Sequence, residues 1–171
     1  MSNRTLALIL ALSAAGALGM APAAAHAQGV RFGLAGTGLF SLEDGGGSDF
    51  GVTGLAQFGR SHGNVGFRVD ASLLRGDGDW SQLATGDISY TFHTPESLLH
   101  PYVLAGAGIV HVPDLTKPMA KAGGGLDYHL FKRNRGTVLF GEATVDFLFF
   151  GDDAGGTATG LQLNLGLKFG D

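Results

Sequence analysis

Beyond Gln28 the chain breaks into eight short stretches, each alternating apolar residues with small or polar ones and separated by segments rich in Gly, Asp, Pro and Asn. A period of two marks a β-strand, because successive side chains point to opposite faces; an amphipathic helix repeats near 3.6. The 30 glycines fall mostly singly inside these stretches, and each would weaken a helix by about 1 kcal/mol relative to Ala. The contrast is sharpest in the third stretch, where Val65, Phe67, Val69, Ala71 and Leu73 oppose Arg68, Asp70 and Ser72. In the last, Leu161, Leu163, Leu165, Leu167 and Phe169 oppose Gln162, Asn164 and Lys168. Strands are predicted over about 30–40, 50–60, 65–74, 80–93, 101–111, 119–130, 137–149 and 158–169.

The second face of these strands is sparse: small residues, a few hydroxyls and isolated charges. A soluble sandwich would present a water-facing side rich in Lys, Glu and Thr. A sparse polar face suits the inside of a narrow ring, where eight strands leave just enough room for side chains. Eight strands of about ten residues also form the smallest closed sheet that spans an outer membrane. The expected fold is therefore all-β, an eight-stranded antiparallel up-and-down transmembrane β-barrel over residues 28–171. It is preceded by a cleaved signal peptide at 1–27. The leader reads as a basic Met1–Arg4, an apolar run to about Met20, and Ala25-His26-Ala27 as the cleavage pattern.

No apolar run after Gln28 reaches the roughly 18 residues of a membrane helix. Cysteine is absent, which excludes disulfides and thiolate metal sites. The net charge is -4, and loss of the leader removes Arg4 and no acid, giving -5. With no basic stripe, nucleic acid is not an expected partner. No cofactor motif is present.

The inward charges should find one another. Antiparallel pairing across the sixth and seventh strands sets Lys121 opposite Asp146 and Gly125 opposite Glu142. Pairing across the third and fourth sets Arg68 opposite Asp87. The inner set is Arg31, Arg68, Lys121 and Lys168 against Asp70, Asp87, Asp127, Glu142 and Asp146. An unpaired charge in so narrow an interior costs several kcal/mol, so a salt-bridged, largely plugged interior is expected. A gated pore that opens when pairs exchange is the alternative.

Aromatic residues gather near the strand ends. Phe58, Phe67, Tyr90, Phe92, Tyr102, Tyr128 and Phe169 are expected at one rim, and Phe40, Phe50, Trp80, Phe149 and Phe150 at the other. Two such girdles belong to a membrane barrel. Pro101 to Gly108, Lys121 to Leu130 and Leu161 to Phe169 together resemble the small eight-stranded outer-membrane proteins, the group that includes the transmembrane domain of outer membrane protein A. The chain departs from that pattern in continuing past Phe169 with Gly170 and Asp171. The resemblance implies a place in the outer membrane, contact with its lipids and lipopolysaccharide, and capture of the C-terminal strand by the outer-membrane assembly machinery. It implies a non-enzymatic role in envelope integrity or surface contact. The alternatives are a narrow channel or transporter of small apolar compounds, a lipid A-modifying enzyme, and a secreted soluble barrel.

Other motifs carry less. His93, His100, His111 and His129 stand in no His-x-Ser arrangement, and His129 is expected to face inward near Asp127. Arg75-Gly76-Asp77 is an integrin-type tripeptide placed in a loop. Glu43, Asp44, Asp49, Asp77, Asp79, Asp152 and Asp153 make three loops acidic, without the spacing of an EF-hand-type site. Lys132, Arg133 and Arg135 cluster in a turn expected to face the periplasm.

Overall fold

A computed structural model describes residues 29–43, 45–59, 64–76, 78–92, 97–113, 115–130, 136–151 and 156–170. Asp44, Asp77, His93, Lys132, Arg133, Arg135, Asp152, Asp153, the side chain of Phe150 and the whole leader therefore lie outside the described residues. Eight strands follow one another: β1 Val30–Ser41, β2 Ser48–Phe58, β3 Val65–Gly76, β4 Asp79–Thr91, β5 Leu99–Val112, β6 Leu115–His129, β7 Thr137–Gly151 and β8 Gly156–Phe169. Each pairs antiparallel with the next, and β1 pairs with β8, so the sheet closes into a barrel with no free edge. With an even number of strands, both termini emerge at one end.

The register follows the alternation. Arg68 stands opposite Asp87, Lys121 opposite Asp146 and Gly125 opposite Glu142, as expected. A slip of one residue would turn every Leu and Phe of a strand inward, which is why patterned strands hold one register.

At the end away from the termini the connections are shorter than the sequence suggested. The segment 75–79 was expected to be a loop, yet only residues 77–78 separate β3 from β4. Gly78 takes the left-handed φ of +98° that an Asp-Gly hairpin requires. Arg75 and Gly76 thus belong to β3, not to a loop, and the Arg75 guanidinium lies 5.6 Å above the Trp80 ring. Likewise only residues 113–114 separate β5 from β6. Pro118, expected in that loop, is inside β6 opposite Ile109. Pairing of β6 with β7 begins one residue later at Met119, so the proline has a strand neighbour on one side only, where its missing N–H is tolerated.

The outer wall is apolar. Leu165 is 66% exposed, Leu34 61% and Phe67 59%. Phe58, Phe67, Tyr90, Phe92, Tyr128 and Phe169 are exposed toward the terminal end; Phe50, Trp80 and Phe149 are exposed toward the hairpin end. Inside, two apolar clusters share the lumen with polar and charged side chains. Leu74, Leu83, Val110 and Met119 close the hairpin end, with Leu39, Val112 and Leu148 packed against them. Ala35, Leu55 and Phe140 fill the lumen toward the termini.

Candidate functional site

On the terminal side of the Leu74–Met119 cluster, period-two alternation on facing strands brings a set of charges into the lumen. Arg68 on β3 is 3% exposed. Strands β3 and β7 are four apart in a ring of eight, so Arg68 reaches straight across to Glu142. Its Nη2 donates to Glu142 Oε1 at 2.8 Å and to Asp70 Oδ2 at 2.7 Å, and its Nη1 donates to Glu142 Oε2. Its Nε lies 3.4 Å from Asp87 Oδ2. Two parallel N–H donors on one carboxylate fix geometry as well as charge.

Lys121 departs from the expected pairing. It stands opposite Asp146 in register, yet its Nζ sits 2.7 Å from Asp70 Oδ2 and 2.9 Å from Asp87 Oδ2. The cause is Gly106. Asp87, Gly106 and Lys121 are consecutive partners across β4, β5 and β6, so the missing side chain on β5 clears the ammonium's path. Asp146 instead accepts from Thr144 Oγ1 at 2.9 Å.

A second ion pair lies nearer the termini. Lys168 Nζ is 2.8 Å from Asp127 Oδ1 and 4.6 Å from the ring centroids of both Tyr102 and Phe140. Aromatic faces attract a desolvated cation, so this ammonium has three partners of two kinds. Arg31 is not part of either group. It is half-buried at the second residue of β1 and makes no ion pair among the described residues. The buried set is thus Arg68, Lys121 and Lys168 against all five expected carboxylates.

Tyr102 was expected at a rim and is inside, 4% exposed, its hydroxyl donating to Glu142 Oε2 at 2.7 Å. It faces Gly125 in register, and a Cβ on Gly125 would come within 2.6 Å of the tyrosine hydroxyl. The glycine makes the space that the phenol fills. Both Gly125 and its partner were readable in the sequence; the apolar run Val103-Leu104-Ala105 after Tyr102 hid which way β5 faces.

Neutral side chains complete a ring. Asn164 Nδ2 donates to Glu142 Oε1 at 3.1 Å, and Thr37 Oγ1 donates to Asn164 Oδ1 at 2.8 Å. Thr37 has one proton and has spent it, so Thr53 donates to Thr37 at 2.6 Å. By the same count Ser72 donates to Thr53 at 2.7 Å. A one-way chain therefore runs from β3 through β2, β1 and β8 to the carboxylate on β7, and Arg68 closes it across the lumen. Thr53→Val keeps the shape but takes away the acceptor of the Ser72 hydroxyl and leaves Thr37 with its bond to Asn164 alone. We expect it to lower the unfolding free energy by about 1–3 kcal/mol, read as a lower urea midpoint for the barrel in lipid vesicles.

His129 is buried with its ring edge-on to His100, centroids 5.0 Å apart, and His111 Nδ1 is 2.7 Å from Thr116 Oγ1.

No protein-family model matches the sequence, and no curated protein matches it. Solved structures do. The crystal structure of Neisserial surface protein A aligns with a TM-score of 0.65 at 16% identity, over 83% of this chain and 96% of that one. This chain has the fold of the small eight-stranded outer-membrane β-barrels. The N-terminal β-barrel domain of Pseudomonas aeruginosa OprF aligns with a TM-score of 0.50 at 22% identity, over 80% of this chain and 96% of that one. Within this outer-membrane barrel fold the buried ion pairs of the described residues form two groups, one around Arg68 and Lys121 and the other Lys168 with Asp127.

Proposed function

We propose that the chain is a non-enzymatic outer-membrane barrel with a structural role in the envelope, exported by the leader at 1–27 and sealed along its axis. One observation carries this reading: polarity is inverted. Leucines and phenylalanines cover the outer wall, while Arg68, Lys121 and five carboxylates are buried within. Such a wall is stable in hydrocarbon and would aggregate in water. The aromatic residues toward both strand ends support the same placement, with lipid and lipopolysaccharide as the contacts of the wall. The apolar β8 terminus at Phe169 is the segment offered to the assembly machinery. The cluster of Leu74, Leu83, Val110 and Met119 favours a closed lumen over a channel.

Single cysteines test both parts. Leu163 faces outward and Thr85 inward. With the barrel in vesicles, a lipid-soluble maleimide should label Leu163→Cys, and a water-soluble one should label neither Leu163→Cys nor Thr85→Cys. Labelling of Leu163→Cys by the water-soluble reagent would refute the membrane reading. Labelling of Thr85→Cys by that reagent would refute the sealed lumen. The folded barrel should also migrate faster than its boiled form on a gel.

A further inference from the structure

Above the apolar cluster, at the hairpin end, one carboxylate is positioned and unused by the interior network. Asp49, the second residue of β2, accepts from Ser81 Oγ through Oδ2 at 3.1 Å. Its other oxygen rests against Gly76, where a Cβ would come within 1.8 Å. Asp49 makes no ion pair among the described residues. It lines an open pocket of about 240 Å³ together with Leu39, Ser41, Leu148, Thr159 and Gly160. Leu39 and Leu148 pack on the cluster below, so the floor is hydrocarbon. Neither Arg75, which is drawn over Trp80, nor Lys117 of β6 is among the residues that line this pocket.

We propose that this mouth binds a small primary ammonium compound carrying a short apolar group, the ammonium on Asp49 and the apolar group on Leu39 and Leu148. A half-buried carboxylate with one hydroxyl donor attracts a charged donor more strongly than a neutral one. The volume lies below the ~300 Å³ at which sites for drug-sized ligands begin, so the ligand is small. The carboxylate disfavours anions. This site is independent of the membrane reading, which the gel shift and labelling test by themselves.

The probe is para-fluorobenzylammonium, titrated by fluorine NMR against the folded barrel in uncharged detergent. The matching para-fluorobenzyl alcohol controls for partition into micelles. Saturable binding of the amine is expected, with none of the alcohol. Asp49→Asn should weaken the amine by about tenfold or more, the scale of a charge-assisted hydrogen bond. Leu148→Trp should abolish binding by filling the pocket while leaving Asp49 in place. Each variant is first checked for the heat-dependent gel shift, and a variant that fails it is replaced by Gly76→Ala, which displaces the carboxylate and should weaken the amine. Equal behaviour of amine and alcohol, or an unchanged affinity in Asp49→Asn, overturns the proposal.

Discussion

Arg68→Met should lower the stability of the barrel by about 3–5 kcal/mol, the usual loss when one partner of a buried ion pair is removed. Methionine keeps most of the length and all of the apolar stem. What goes is the guanidinium that holds Glu142 on the far wall and Asp70 on its own strand. Those carboxylates, and Asp87 beside them, are each 5% exposed or less. Water cannot replace the lost donor without opening the wall. The measurement is the urea midpoint of refolded protein in lipid vesicles. Adding Glu142→Gln to Arg68→Met should recover part of the loss, because the amide carries no charge and still accepts from Tyr102. An Arg68→Met barrel that unfolds at the parental midpoint would show that the cross-lumen pairs contribute nothing net.

Leu165→Arg should cost about 2–4 kcal/mol, the penalty of a cation near the midplane of a bilayer. Leu165 is 66% exposed and sits mid-strand between Gly36 and Gly141. In a water-soluble barrel the same change at so exposed a position would be nearly neutral. Leu99→Arg supplies the control. Leu99 is the first residue of β5, at the rim, where the penalty should fall to about 0–1 kcal/mol. Equal effects at the two positions would mean that the wall has no hydrocarbon-facing middle.

The architecture was readable because period two is a local property, and one closed sheet satisfies all eight stretches at once. Register was readable too, since inward faces can pair only in steps of two. The bonding inside was not. Lys121 illustrates why: the residue opposite on the next strand is its neighbour by pairing, but a long side chain in a narrow lumen reaches strands that pairing does not connect. Arg68 and Glu142 are 74 positions apart and meet only because the ring closes. Tyr102 failed for a different reason, since Val103, Leu104 and Ala105 give β5 no polar face to contrast with. Asp77, Gly78, Pro113 and Pro118 suggested long loops, because turn residues mark where a chain reverses and say little about how far the strands extend.

The hairpins at residues 77–78 and 113–114 bear on what can meet this protein from outside. Two of its four crossings at that end leave only two residues between strands, the shortest common connection of an antiparallel pair. At these two crossings a partner approaching from outside has little chain to grasp. Such short crossings suit a molecule that keeps its place within the lipid layer.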